Sequence, residues 1–140
     1  MSKISKELDR HVRTASKNRC CYCLTPQSLV SYKLEIEHIL PLSKGGTPVE
    51  ENLCLACRQC NLHKSAKIFG IDVISGKRVK LFDPNKQIWH DHFVWDKNKT
   101  SIVGKTPAGR ATVYALKMND EWQTTARELW KLTDLFPPED

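Results

Sequence analysis

Residues 37–46 read Glu-His-Ile-Leu-Pro-Leu-Ser-Lys-Gly-Gly, and this stretch lies between two Cys-x-x-Cys pairs. Cys20 and Cys23 precede it, and Cys57 and Cys60 follow it. Each spacing lets two thiolates approach a single ion from one tight turn, and four thiolates form a tetrahedral set that suits Zn²⁺. The sequence therefore predicts a structural zinc site with these four cysteines as ligands and the intervening stretch folded around it.

Other interpretations of the cysteines are weaker. A redox pair of the thioredoxin type needs one Cys-x-x-Cys in a βαβ context, which is absent here. Cys21 and Cys54 are left over. Cys21 could replace Cys20 as a ligand, although Cys21 and Cys23 form a poorer chelate. Cys54 is flanked by leucines and is typical of an apolar strand or helix-entry residue.

Length and charge limit the class of protein. The chain has 140 residues, about the size of one domain, so a single unit spanning residues 1–140 is expected. It carries 22 Lys and Arg against 16 Asp and Glu, a net charge of +6. Residues 1–19 have net charge +4, whereas residues 120–140 have net charge −4. This distribution predicts attraction of a polyanion such as nucleic acid, away from the C-terminal end.

The sequence also predicts where the protein works. No stretch approaches the roughly 20 apolar residues of a membrane span, and the N-terminus lacks the apolar core of a signal peptide. We therefore expect a cytoplasmic protein without a membrane partner. In that reducing compartment, the cysteines are expected to bind metal or pack in the core rather than form disulfides.

The segment between the cysteine pairs has the pattern of two strands and a helix. Residues 34–40 alternate in the manner of a strand, residues 44–48 form a loop, and residues 52–56 return as a second strand. Residues 60–69 have helical composition and stop at Gly70. Because neighbouring strand residues face opposite sides, one of the adjacent pair Glu37 and His38 is expected to bind metal while the other faces an attacking water.

This stretch resembles the HNH endonuclease family, whose fold is the ββα-metal finger. The resemblance covers residues 19–68 and rests on both Cys-x-x-Cys pairs, on Glu-His-Ile-x-Pro-Leu-x-x-Gly-Gly, on Glu-Asn-Leu and on Cys-Asn-x-x-Lys. It implies that His38 is the general base, that Glu37 and Asn61 hold one divalent cation, and that Asn52 orients the His38 ring. The family often has aspartate in place of Glu37 and histidine in place of Asn61, so the metal preference is open. His63 is the alternative ligand.

The chemistry of these residues agrees with phosphodiester hydrolysis. Histidine side chains can accept a proton at neutral pH. Carboxylate and amide oxygens suit a hard cation, so Mg²⁺ or Mn²⁺, with Ni²⁺ as a further option, is expected at the catalytic site while Zn²⁺ occupies the thiolates. Taken singly, these residues are also compatible with ordinary roles. His38 could be a hydrogen-bonded core residue, Glu37 a surface charge, and the asparagines turn or cap residues.

The predicted function is a metal-dependent endonuclease that nicks or cuts DNA, with the duplex as the expected partner. The first alternative is a zinc-containing nucleic-acid-binding module without turnover. The second is a protein-interaction module with Trp122 and Trp130 on its surface. An exposed pair would indicate a homodimer and a buried pair a monomer.

The predicted fold class is α+β, with a zinc-held HNH core over residues 19–69, a basic helix within residues 1–18 and an extension over residues 70–140. For the helix the pattern covers residues 3–17. The extension contains Leu-Phe-x-Pro at 81–84, Trp-x-x-His-Phe-x-Trp at 89–95 and Thr-Pro-x-Gly-Arg-Ala-Thr at 106–112. Through these segments it resembles the C-terminal extension of small bacterial HNH proteins, which implies no role. Its predicted elements are a turn at 75–77, strands at 78–82, 89–95 and 100–104, a helix capped by Thr106, and a last helix capped by Asn119 with an apolar stripe at Trp122, Ala126, Leu129, Trp130 and Thr133. Trp89, Phe93 and Trp95 are predicted as hairpin core rather than base-stacking platforms.

Overall fold

The computed structural model describes residues 4–138, and this part of the chain mixes five α-helices with three two-stranded antiparallel sheets. The α+β class is confirmed. The predicted division at residues 18/19 and 69/70 stays a prediction. Between residues 4 and 138, no helix has the length and apolar character that crossing a bilayer requires. The elements in chain order are α1 (Lys6–Ala15), β1 (Glu35–His38), β2 (Leu53–Ala56), α2 (Arg58–Lys64), β3 (Phe69–Ile71), β4 (Arg78–Lys80), α3 (Trp89–His92), β5 (Phe93–Trp95), β6 (Ile102–Gly104), α4 (Pro107–Ala115) and α5 (Glu121–Trp130).

Helix α1 is the predicted basic helix, shorter than the pattern suggested. The Ser5 side chain caps it by accepting a hydrogen bond from the Leu8 amide at 3.0 Å. Val12 is its buried residue, and Arg13 ties the helix to the core by donating to the Leu34 carbonyl at 2.6 Å. The predicted start at Lys3 lies outside the described residues. Most basic side chains of α1 therefore face solvent while one apolar position anchors it.

The ββα unit forms as predicted, with β1 and β2 antiparallel and Glu37 opposite Cys54. The predicted helix end at Phe69 is wrong. Helix α2 ends at Lys64, because Ser65 has φ 50° and ψ −130°, which the helix cannot continue through. The residues after Ser65 are helix-forming by composition, and the sequence pattern therefore placed the end of the helix too late. Phe69 and Gly70 instead belong to β3, which pairs with β4 in a hairpin whose turn covers residues 73–75, so the predicted turn at 75–77 is placed two residues too late.

The predicted strand over residues 89–95 is half wrong. Residues Trp89–His92 form one helical turn, and Phe93–Trp95 form β5, which pairs with β6. The turn places Trp89 and Phe93 on one side, with ring centroids 5.1 Å apart. Trp89 and Phe93 are buried and Trp95 is partly buried against the core, so all three pack as core residues, although Trp89 lies on α3 and not in the hairpin. The indole of Trp89 also donates to the Tyr22 carbonyl at 2.7 Å and joins the extension to the cysteine-rich loop.

The last two helices confirm one predicted cap and correct the other. Thr106 caps α4 by accepting from the Gly109 amide, with Pro107 at the first helical position, as predicted. Helix α5 is capped by Asp120 and not by Asn119, whose amide instead bonds both backbone groups of Ile102.

The predicted apolar stripe of α5 does not form the buried face of the helix. Gln123 and Arg127 are buried there, whereas the Trp122 side chain is 73% exposed and Leu129 is 67% exposed. Trp130 is partly buried and packs edge-on against Phe136, with centroids 5.6 Å apart. The helix packs through Arg127, which donates to the carbonyls of Thr100 and Met118. Trp122 is thus exposed and Trp130 partly buried, so neither predicted outcome, an exposed pair or a buried pair, holds for both residues.

Candidate metal centre and active site

The four cysteines of the two pairs meet at one buried point. Their Sγ atoms all lie within 4.8 Å of one another, and each of the four residues is buried. Cys20 and Cys23 lie on the loop after α1, Cys57 caps α2, and Cys60 follows in its first turn. The Sγ atoms of Cys23 and Cys57 are 3.6 Å apart, close to the separation of two ligands on one tetrahedral ion. This thiol set fits a structural zinc ion, as predicted.

Burial explains why such a cluster needs a cation. Desolvation raises the pKa of the Cys20 thiol, because a thiolate away from water is unfavourable. A zinc ion bound to the cluster neutralises thiolates that the protein interior would otherwise protonate. Through Cys20, Cys23, Cys57 and Cys60 the ion would also link the loop after α1 to the start of α2, with strands β1 and β2 between the two linked ends.

The two remaining cysteines lie outside the cluster. Cys54 is buried under β1, with its Sγ 3.6 Å from Glu37 Oε2. Cys21 is partly buried and has its Sγ 3.4 Å from the Ser16 hydroxyl. The ligand set therefore contains Cys20 and not Cys21, and the prediction of Cys54 as an apolar strand residue is confirmed by its place in β2.

Glu37 is the centre of a second buried group. Its Oε1 accepts from the Lys64 ammonium at 2.7 Å, and its Oε2 accepts from the Tyr22 hydroxyl at 2.8 Å. Both members of the ion pair are almost fully buried. Burial raises the pKa of Tyr22, so its phenol stays protonated and donates to the carboxylate. Glu37 therefore has a protein partner at each of its two oxygens.

The Lys64 ammonium lies among three oxygen atoms. Besides Glu37 it contacts the carbonyl of Ile39 at 2.8 Å and the carbonyl of His38 at 3.4 Å. A carboxylate and two carbonyl oxygens are also the ligand types that hard divalent cations prefer. In the structure this oxygen set holds the ammonium group, so a divalent cation at Glu37 would have to displace Lys64.

Asn61 does not contact Glu37 in this arrangement. Its amide group donates to Glu35 Oε1 at 2.9 Å, and Arg58 lies 3.6 Å from the other carboxylate oxygen of Glu35. His63, the alternative ligand, has its Nε2 3.1 Å from Gln59 within the same helix. Helix α2 therefore places Asn61 against Glu35 and Lys64 against Glu37, and as arranged the predicted ligands do not share an opening for a second metal.

His38 is the last residue of β1, and it is partly buried. It pairs in register with Leu53, while Glu37 pairs with Cys54 and contacts its thiol. Strand alternation predicts that the His38 side chain faces away from the side that carries Glu37 and Cys54. The histidine thus lies at the edge of the ββα unit, immediately before the loop that carries the two glycines.

The Asn52 side chain braces that loop by hydrogen bonds to the backbone of the loop. Its Oδ1 accepts from the Leu40 amide at 2.7 Å, and its Nδ2 donates to the carbonyls of Leu40 and Thr47, each at 3.0 Å. Its own carbonyl accepts from the Ile39 amide at 2.9 Å. Asn52 therefore holds both ends of the loop that follows His38.

The glycine pair makes this bracing possible. Gly45 has φ 91°, the left-handed region that glycine adopts without strain. A Cβ atom on Gly46 would lie 1.8 Å from the Leu40 carbonyl oxygen and 3.0 Å from Asn52 Nδ2. Only glycine allows the two ends of the loop to approach this closely. The Gly-Gly pair and Asn52 form one structural device next to His38.

A cleft of about 300 Å³ opens between the braced loop and the extension. Its walls come from the loop, from the segment after α2, and from β4 with the residues that follow it. Four lysines line it, against two acidic side chains: Lys64, Lys67, Lys80 and Lys86, with Glu51 and Asp83. Since Glu37 neutralises Lys64, the excess positive charge comes from the other three lysines, two of which belong to the extension.

Comparison with protein families identifies the segment that holds these features. Residues 20–67 match the family model described as HNH endonuclease. The four-cysteine cluster lies within the matched residues, and the resemblance stated from the sequence motifs is confirmed for this part of the chain. Neither the curated proteins nor the solved structures gave a match to the chain. The HNH segment, residues 20–67, is thus a nuclease-type or nucleic-acid-binding module with a four-thiol metal site.

Sequence reasoning missed the partners of Glu37. Tyr22 lies between the first two zinc ligands, and Lys64 is the lysine of the Cys-Asn-x-x-Lys motif. The spacing of Asn61 and Lys64, three residues on one helix, was the available signal, because it places both on the side of α2 that faces β1. Glu35, the partner of Asn61, carried no signal beyond its position two residues before Glu37.

Proposed function

We propose that the protein is an endonuclease of the HNH type that hydrolyses phosphodiester bonds in DNA, with His38 as the general base. The observation that carries this proposal is the bracing of the loop after His38 by Asn52 and Gly46, within a segment that matches the HNH endonuclease model. A histidine held at the end of a rigid strand can accept the proton of an attacking water without reorganisation of its backbone.

Asn52 acts in this proposal as a positioning residue. The sequence motif implied a direct hydrogen bond to the His38 ring, whereas the contacts described above lead from its amide to Leu40 and Thr47. Asn52 would then orient His38 through the backbone of the loop, since it accepts hydrogen bonds from the amides of Ile39 and Leu40, the two residues that follow His38. Net positive charge outside the C-terminal end supports a polyanionic substrate, with duplex DNA as the first candidate.

For the catalytic cation we propose the predicted ligands Glu37 and Asn61, which would be recruited when Lys64 leaves Glu37. When bound there, Mg²⁺ or Mn²⁺, or Ni²⁺ in their place, would neutralise charge on the scissile phosphate. The oxygen set around Lys64 supports a cation at this position. In the arrangement described, the ammonium group fills that place, so cation binding and the position of Lys64 are expected to be coupled.

The test is conversion of supercoiled plasmid to nicked or linear DNA by purified, zinc-loaded protein. Mg²⁺, Mn²⁺ and Ni²⁺ are added separately, with a reaction lacking added divalent cation as reference. We expect conversion only with an added cation. His38→Ala should lose this conversion, and His90→Ala is its matched control, because His90 is an exposed histidine outside the HNH segment. Absence of conversion with every cation would contradict the proposed function.

The ion pair between Glu37 and Lys64 favours a second candidate, a zinc-held module that binds nucleic acid without turnover. Its basis is that both predicted catalytic ligands already have protein partners. The same plasmid experiment separates the two candidates when binding is measured beside it. If the protein binds plasmid DNA but never cuts it, the result supports the binding module.

A further inference from the structure

The strongest unexplained feature is a groove on the face of the extension. An opening of about 730 Å³ lies between hairpin β3–β4 and helix α4, and its wall includes Phe69, Tyr114, Arg78 and Lys117. A neighbouring opening of about 440 Å³ shares Lys67, Phe69 and Arg78 with it and adds Lys44 from the loop after β1. Shared walls make the two openings one groove.

This groove adjoins the cleft that Asn52 and Lys64 line. Lys67 belongs to the walls of both, so the groove and the cleft beside the braced loop are neighbours. Lys44, Lys67, Arg78 and Lys117 give the groove four positive charges, and Asp120 is its one acidic wall residue among the described residues. The charge of the groove is therefore complementary to a chain of phosphates.

Two aromatic side chains are exposed along the groove. Tyr114 is 64% exposed and Phe69 is 39% exposed, and the Arg78 guanidinium lies 4.0 Å from the centroid of the Phe69 ring. Aromatic faces interleaved with cations suit the bases and phosphates of a single strand. A duplex keeps its bases stacked inside and presents mainly phosphates to such a surface. The rings therefore distinguish unpaired from paired nucleotides.

We infer that this groove binds unpaired nucleotides next to the phosphodiester to be cut, with Tyr114 as a base-stacking residue. The inference rests on the proposed function only for the identity of the substrate, and it gives the extension a role in selecting DNA that carries an unpaired segment. The HNH segment alone lacks Tyr114, Arg78 and Lys117 and so could not form this groove.

The experiment measures binding without cleavage. Fluorescence anisotropy is recorded for a labelled oligothymidine of about 20 nucleotides and for a duplex of equal length, in buffer without added divalent cation. Tyr114→Ala should weaken single-strand binding about fivefold or more, since stacking of one base contributes at least that factor. Duplex binding should change less than about twofold. Tyr114→Phe should bind the single strand like the wild type because it keeps the ring.

Trp122→Ala is the matched control, since Trp122 is an exposed aromatic residue that does not line the groove. It should leave binding of both probes unchanged. The inference is overturned if Tyr114→Ala binds the single strand as tightly as the wild type, or if both probes lose affinity equally. It is also overturned if Tyr114→Leu binds the single strand like the wild type, because an apolar side chain without a ring would then suffice and base stacking would not be the cause.

The nucleotide-binding groove and the proposed endonuclease activity can fail independently of each other. If Tyr114 determines single-strand binding but no cation permits plasmid cleavage, the groove stands and the endonuclease activity fails. If plasmid is cut while Tyr114→Ala has no effect on binding, the endonuclease activity stands and the groove fails.

Discussion

The HNH segment and the extension are both built from short antiparallel hairpins and helices and share one apolar core, but the four-thiol metal site found among the described residues belongs to the HNH segment. The interior of the HNH segment contains four thiols and a buried ion pair. The interior of the extension contains aromatic rings, with Phe93 in contact with both Phe82 and Trp89. A metal and an ion pair can hold a few residues together directly, whereas apolar packing needs several elements around one core.

This difference has a functional consequence. The metal-held HNH segment can present His38 and its braced loop from very few residues, because the zinc ligands fix both ends of the ββα unit. The extension contributes surface instead, namely the exposed rings and cations of its groove. We therefore expect the chemical step to depend on the HNH segment and substrate selection to depend on the extension.

The largest expected effect comes from breaking the metal centre. Cys57→Ala removes a zinc ligand and the cap of α2, and it should abolish zinc binding and cooperative unfolding. Zinc content by elemental analysis and thermal unfolding by circular dichroism measure this. Cys21→Ser is the matched control and should retain one zinc per chain. A folded, zinc-free Cys57→Ala protein would contradict the four-cysteine site.

The next effect concerns the buried ion pair. Lys64→Met leaves the Glu37 carboxylate buried without its cation, which should cost about 3–5 kcal/mol in the free energy of unfolding. The double variant Lys64→Met with Glu37→Gln should recover most of that loss, since the remaining amide is uncharged. Urea denaturation of the four proteins forms the complete cycle. Equal losses in the single and double variants would show that the charge of Glu37 is not the cause.

A matching substitution in the extension should act locally. Arg127 is fully buried and donates to two backbone carbonyls and to the Asn119 side chain. Arg127→Leu leaves these acceptors without a donor and should cost about 3 kcal/mol. Zinc content should stay unchanged, because these hydrogen bonds of Arg127 reach Thr100, Met118 and Asn119 and none of them reaches a zinc ligand. Loss of zinc together with stability would show that the two regions unfold as one.

The smallest effect is pH-dependent. The Arg110 guanidinium donates to both oxygens of Asp72 and holds the pKa of that carboxyl below its usual range. A lowered folded-state pKa gives stability that is present above the unfolded-state pKa, about 3.9, and is lost as the pH falls toward the folded-state value. Asp72→Asn should therefore be less stable than the wild type by a constant amount from pH 8 to pH 5. A stability difference between the two proteins that disappears near pH 6 would show that a group other than Asp72 causes it.

Sequence patterns predicted the HNH segment better than the extension, for a physical reason. Metal ligands, loop glycines and the β1–β2 alternation each leave a local signature, so the zinc ligands and the ββα order followed from spacing. The end of α2 did not, since the residues around Ser65 carry no glycine or proline that would signal its positive φ. Similarly, Trp89 satisfies both strand alternation and helical spacing, and its bond to the distant Tyr22 carbonyl favours the helical turn.

The candidate site shows the same limit at the level of single residues. His38 and Asn52 could be selected from their motif, and the structure adds how Asn52 holds the loop. The partners of Glu37 could not be predicted, because Lys64 and Tyr22 reach it from separate elements at separations of 27 and 15 residues. Long-range side-chain pairs of this kind have no periodicity along the chain, so only the fold brings them together.

The most direct test of the central claim is the cleavage rate of His38→Ala beside the wild type on the same plasmid, at equal zinc content and with the most effective cation. The account predicts a loss of roughly 10²- to 10⁴-fold or more, as expected for removal of a general base, with DNA binding retained. A cleavage rate equal to that of the wild type would contradict it, because the braced histidine would then have no part in the reaction.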